Sequence, residues 1–147
     1  MSDPQKDAVY AWEDEWWGWN ISVLTLAECR KVIKAACDIY QLQPPKVVQH
    51  KVRSLSYSQG DLISLQAEGP RVVGGHKGGK NFATALHEAA HYITGKLYKA
   101  EHEDHGPEFC GVYLHLLVAA NMAPEEAIYG SARARGIRWK SWPDMKA

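Results

Sequence analysis

Long apolar runs are missing from this chain. No stretch approaches the roughly eighteen consecutive apolar residues that a membrane-crossing helix needs, so no membrane partner is expected. Cysteine is scarce: Cys29, Cys37 and Cys110 are the only three, too few for a disulfide framework. The polar, acidic N-terminus does not read as a secretory signal, and a cytoplasmic location is expected. An excess of either charge is also absent, with 17 basic against 17 acidic residues, which argues against strong nonspecific binding to nucleic acid. Repeats and low-complexity tracts are lacking. What is present is 147 residues with 46% hydrophobic content, enough for one domain, residues 1–147, that buries its own core.

The segment His87-Glu88-Ala89-Ala90-His91 carries the clearest chemical signal. Phe82, Ala85, Leu86, Ala89, Ala90 and Ile93 form a helix-period apolar stripe around it, with Asn81 as a capping residue and Gly95 or the polar run after Tyr98 as its end. On a helix of about 3.6 residues per turn, His87 and His91 lie one turn apart on one face and can close on a single metal ion. Glu88 is turned about 100° from His87. Its carboxylate then reaches a water held by the metal rather than the metal itself, the position of a general base.

A hydrolytic zinc site takes three protein ligands and leaves one position for water. A third donor must therefore return to the His87/His91 face, and the segment Glu101-His102-Glu103-Asp104-His105-Gly106-Pro107-Glu108-Phe109 offers several. Pro107 suits the first turn of a helix running through Phe109, Val112, Tyr113, Leu116, Leu117 and Ala120, which places His105 at its entrance. Gly106 permits close backbone approach there. His102, Glu103 and Asp104 compete on chemical grounds, and spacing alone does not separate them. Cys110, one turn into this helix, is within conceivable reach of the metal but is not counted as a ligand.

The two motifs together, His87-Glu88-x-x-His91 and His105-Gly106-Pro107-Glu108-Phe109-Cys110, resemble the SprT-like, or Spartan-type, zinc metallopeptidases over roughly Asn81 to Leu117. The resemblance implies that His105, opening the second block, is the third zinc ligand. It also implies an α+β, zincin-like fold: an N-terminal helix, a short antiparallel sheet, and two helices carrying the metal site. The metzincin pattern fits worse, because Thr94 and Leu97 stand where it requires glycine and histidine. The paired CxxC motifs of the zinc ribbon found in many bacterial relatives are not in this sequence.

Upstream, Thr25-Leu26-Ala27-Glu28 reads as a capping box opening a helix to about Tyr40, with Cys29, Val32, Ile33, Ala36 and either Ile39 or Tyr40 inward. Cys29 and Cys37 read as small core residues. Pro44-Pro45 stops the helix. Strands are expected at Lys46 to His50 and Lys51 to Tyr57, a turn at Ser58-Gln59-Gly60-Asp61, and a returning strand at Leu62 to Gln66. Leu62 to Gln66 is the candidate exposed edge for an extended substrate, the alternative being an ordinary internal strand. Gly74-Gly75-His76-Lys77-Gly78-Gly79-Lys80-Asn81 nearly spells a phosphate-binding loop, but Asn81 stands where a hydroxyl must hold magnesium. A hinged flap over the metal, or a plain connector, is the remaining reading.

The ends differ in sign: residues 1–20 are acidic and rich in tryptophan (Trp12, Trp16, Trp17, Trp19), and residues 131–147 form a basic tail with Trp139 and Trp142. The indoles of the first segment are expected to pack onto the domain near the helix that opens at Thr25, the alternative being an exposed docking surface for a partner or substrate; the two ends either attract each other across the fold or bind partners. Only the basic tail and its tryptophans favour a nucleic-acid partner, and no feature specifies an oligomeric state. The expected function is a zinc-dependent endopeptidase acting on protein or peptide substrates, with His87, His91 and His105 as metal ligands and Glu88 as catalytic base. Tyr57, Tyr92 and His115 are candidates for stabilising the oxyanion. Two other readings use the same residues: a non-catalytic zinc-containing binding module, and a DNA-associated regulatory peptidase with one dedicated protein substrate.

Overall fold

The computed structural model describes residues 3–17, 24–50, 56–66, 82–99 and 104–140. Within them the chain is α+β, with five helices and one three-stranded sheet. Helix α1 (Lys6–Trp17) is followed by α2 (Leu26–Ile39), strands β1 (Lys46–His50), β2 (Tyr57–Gln59) and β3 (Leu62–Gln66), and then α3 (Phe82–Tyr98), α4 (Pro107–Ala119) and α5 (Glu125–Ala134). None of these helices is long and apolar enough to cross a membrane.

Helix α2 starts where its capping box places it. The Thr25 hydroxyl accepts from the Glu28 amide at 3.1 Å, and the Glu28 carboxylate accepts from the Thr25 amide at 2.8 Å. Two otherwise unpaired backbone donors are thereby satisfied. Cys29, Ile33, Ala36 and Cys37 face the core. At the end of the helix Tyr40 turns inward and Ile39 outward. Gln41 takes a positive φ, and Leu42 N–H reaches back to the Cys37 carbonyl, closing the helix before the two prolines arrive.

The sheet order is β1-β3-β2, with β3 parallel to β1 and antiparallel to β2. Three expectations are corrected by it. The sheet is mixed rather than antiparallel. The turn occupies Gly60 and Asp61 alone, with Ser58 and Gln59 still in strand, because Gly60 supplies the positive φ that a two-residue connection requires. And Leu62–Gln66 is the inner strand; Ile63 to Gln66 are all buried, as a strand flanked on both sides must be. The expected strand Lys51 to Tyr57 falls mostly outside the described residues.

Helix α3 runs through the middle of the molecule, packed against α2, α4 and the sheet. Such a position demands burial on more than one face, and alanines at 83, 85, 89 and 90, all fully buried, let the neighbours approach closely. The Arg30 side chain donates twice to the Val47 carbonyl, tying α2 to β1. Tyr92 donates to the Gln43 carbonyl, and Lys96 pairs with Asp61 at the hairpin turn. These contacts anchor α3 against the sheet.

Helices α1 and α5 are not marked by the sequence patterning. Trp12 of α1 is buried, as expected of an indole; it packs on Tyr113 of α4 and donates to Ser131 of α5. The side chains of Trp16 and Trp17, and Trp19, lie outside the described residues. The oppositely charged ends do meet, at an exposed Arg135–Glu15 pair. Such a pair contributes little stability.

Candidate metal centre

Helix α3 presents His87 and His91 one turn apart, with ring centroids 4.9 Å from each other. His105 arrives from the turn before α4, 5.3 Å from His87 and 4.8 Å from His91 by ring centroid. One nitrogen from each of the three falls within 4.8 Å of the other two, a grouping able to hold a metal ion. Proline at the first position of α4 and an extended Gly106 before it let the chain enter the helix close to the imidazoles. His87 and His105 are buried and His91 partly so.

Phe109, fully buried, forms the floor beneath all three rings, stacking on His91 at 4.3 Å and meeting His87 and His105 at 5.1 and 5.0 Å.

The outer nitrogens of two rings are engaged by carboxylates from the N-terminal segment. Glu13 Oε2 accepts from His87 Nδ1 at 2.6 Å and also from the Tyr113 hydroxyl at 2.6 Å. Asp3 accepts at both oxygens, from the His105 backbone N–H at 3.1 Å and from His105 Nδ1 at 2.8 Å. An ionised carboxylate only accepts, so Nδ1 carries the hydrogen in both imidazoles. Both Nε2 atoms are then lone-pair acceptors, and they face each other at 3.3 Å.

Two lone pairs at that distance repel unless a cation sits between them. A proton there would make a buried imidazolium, and burial together with the neighbouring His87 pushes the His105 pKa down, against the partial opposition of Asp3 and Glu13. A metal ion fits better. Nitrogens bound at about 2.0–2.1 Å to a tetrahedral ion stand roughly 3.3 Å apart, and that is the separation of the two Nε2 atoms here.

Glu88 is 6% exposed and lines the cleft above the histidines, a cavity of 570 Å³. Asp3, Lys6 and Tyr10 of the N-terminal segment line it, as do Tyr57, Ser58 and Asp61 of the β2–β3 hairpin. The strand edge bordering the site is therefore β2.

Of the other residues singled out from sequence, Asp104 is exposed at the cleft rim and is not in the three-histidine group. His102, Glu103 and the glycine-rich segment 74–81 lie outside the described residues. The Cys110 thiol is buried, points to the His105 carbonyl at 3.4 Å, and has its pKa driven up by that burial. It is not a member of the metal-capable group. His115 is turned away from the cleft toward Tyr40, 2.9 Å from its hydroxyl, and Tyr92 lines the cleft with its hydroxyl donated to Gln43. Tyr57 borders the cleft and stacks on His50. Trp139 packs on Tyr129 with Arg133 over its ring, so its aromatic and cationic neighbours are its own chain's; Trp142 lies outside the described residues.

Sequence reading missed Asp3, Tyr10 and Glu13. Tyr10 lies parallel to His87 at 5.9 Å and 5.3 Å from His105, roofing the site. The one available signal was an acidic residue amid the apolar positions of the tryptophan-rich segment. Comparison of the chain with protein-family models, with curated proteins and with solved structures finds no match.

Proposed function

We propose that this protein is a zinc-dependent peptidase whose metal is held by His87, His91 and His105 and whose catalytic base is Glu88. The observation that carries the reading is the pair of Nε2 atoms facing each other at 3.3 Å, each with its Nδ1 already committed to a carboxylate. An all-imidazole donor set suits zinc among common divalent ions, and three ligands leave a position for solvent. The paired motifs' likeness to SprT-like peptidases points the same way, as does an α+β fold with two ligands on one helix and the third in the turn that opens the next.

Zinc held by His87, His91 and His105 would supply charge that lowers the pKa of a water toward about 7 and polarises a scissile carbonyl. Glu88, held at the same cleft by the helix that carries His87 and His91, takes the proton from the attacking water onto its carboxylate and returns it to the leaving amine. The polar cleft admits an extended chain, and the β2 edge at Tyr57 and Ser58 offers it main-chain pairing with little demand on sequence.

The test is metal analysis of the purified protein with X-ray absorption, together with hydrolysis of an unfolded protein such as denatured casein. One zinc per chain with three nitrogen ligands and one light oxygen, and cleavage abolished by a chelator, are expected. A site closed by a fourth protein ligand, or absence of cleavage by the zinc-loaded protein, refutes the reading.

A further inference from the structure

The carboxylates that orient His87 and His105 come neither from α3, which bears His87, nor from the turn before α4, which bears His105, but from the stretch between Asp3 and Glu13. We propose that this N-terminal segment is an integral part of the metal centre: Asp3 and Glu13 are positioning residues that lock two ligands in the metal-binding tautomer, so that docking of α1 and metal affinity are one coupled equilibrium. The inference rests on the reading that the three imidazoles hold a metal.

His105 shows how complete this hold is. Its backbone N–H and its Nδ1 are both bound by Asp3, and its carbonyl accepts from Gln5 Nε2 at 2.9 Å. Gln5 is in turn fixed by the backbone of Arg138, accepting from its N–H at 2.7 Å and donating to its carbonyl at 3.1 Å. Every polar group of the third ligand except the one facing the metal position is therefore claimed by residues 3 and 5. Glu13 plays the corresponding part for His87, with Tyr113 of α4 holding the carboxylate in place. A ring whose Nδ1–H lacks an acceptor rotates and changes tautomer; a carboxylate acceptor stops both and raises the basicity of Nε2.

Linkage makes the effect reciprocal. Whatever affinity the docked segment adds to the metal, the metal returns as docking of the segment. Residues 6–17 should therefore exchange their amide hydrogens more slowly when zinc is present.

The experiment uses the full chain and Zn²⁺ as the probe, in competition with a chromophoric chelator. Asp3→Ala is expected to weaken zinc binding by about tenfold to a hundredfold, and Glu13→Gln, whose amide oxygen still accepts from His87 Nδ1–H and from Tyr113 but carries no charge, by less. Asp3→Asn keeps an acceptor for only one of the two His105 donors and sets its amide N–H2 against the other, so it should weaken binding as well. Asp7→Asn removes a charge from an exposed position of the same helix and should leave affinity unchanged. Long-range proton–nitrogen NMR correlations should show Nδ1–H tautomers for His87 and His105 in the zinc-loaded protein, with that of His105 lost in Asp3→Ala. Asp3 sits at the margin of the fold with its side chain 19% exposed, so its variants remain informative even where Glu13→Gln does not fold. Wild-type affinity in the Asp3 variants, or an equal loss in Asp7→Asn, overturns the proposal. A wild-type protein that binds no zinc removes the metal reading and this inference together, whereas one that binds zinc and cleaves nothing removes only the peptidase reading.

Discussion

Glu13 accepts a 2.6 Å hydrogen bond from Nδ1 of His87 across 74 residues of chain, and the same oxygen accepts from Tyr113. One buried carboxylate thus joins α1, α3 and α4 at the back of the candidate metal centre. A charged group 2% exposed is costly unless well engaged, and its engagement here with a candidate ligand gives that cost a chemical purpose.

Replacing Glu88 with Gln keeps the size of the side chain and removes its basicity. Hydrolysis should fall by at least about a hundredfold to ten-thousandfold, with zinc content unchanged. Steady-state turnover measured beside metal stoichiometry checks this; a Glu88→Gln protein that still turns over would strip Glu88 of its role.

Metal should also stabilise the fold. At free zinc about a hundredfold above its dissociation constant, binding to the native state alone contributes roughly 2.7 kcal/mol. Calorimetric melting with and without chelator reads this directly, and His105→Ala should abolish most of the difference.

Gly111 on α4 faces the backbone of Lys140, whose N–H donates to the Pro107 carbonyl at 3.0 Å. A methyl group at 111 would collide with the Lys140 carbonyl oxygen, and backbone cannot yield as a flexible side chain does. Gly111→Ala is therefore expected to cost about 1–3 kcal/mol, measurable by urea denaturation; wild-type stability would show that residues near 140 do not rest on α4.

Acid should weaken the fold through His115. Burial lowers its pKa below the ordinary 6.5, so in the unfolded chain it takes up a proton at a pH where the native protein leaves it neutral. Unfolded molecules then bind more protons, and stability falls as pH drops through and below about 6.5. His115→Gln, which retains a hydrogen-bonding partner for Tyr40, should show a shallower decline in chemical denaturation between pH 8 and pH 5 (about neutral to mildly acidic conditions). An unchanged slope counts against this account.

Local chemistry explains which parts of the molecule could be read from sequence. The capping box at Thr25, the proline opening α4 and the spacing of His87 and His91 each act within a turn or two, and the structure follows them closely. β1 and β3 also fall where their residue types put them. Strand pairing is a different matter: residue types in Leu62–Gln66 do not say which strands lie on either side, and β3 proved to be enclosed by β1 and β2. Helix α1 was hidden because its inward positions mix Val9 and Trp12 with Glu13. That acidic residue makes sense only beside His87, a neighbour contributed by distant chain. Helix α5 gave little signal because it follows Pro124 directly and lacks a side-chain cap.

The attachments of the N-terminal segment reach far along the chain: 102 residues from Asp3 to His105, 119 from Trp12 to Ser131, and 133 from Gln5 to Arg138. Contacts of such sequence separation form late, because the closure entropy of the whole intervening loop must be met first. During synthesis, Gln5 and Trp12 must wait for α5 and the residues just after it before they can seat. A nascent chain would thus carry an unfinished centre until Arg138 had left the ribosome, and any cleaving activity would be withheld until then.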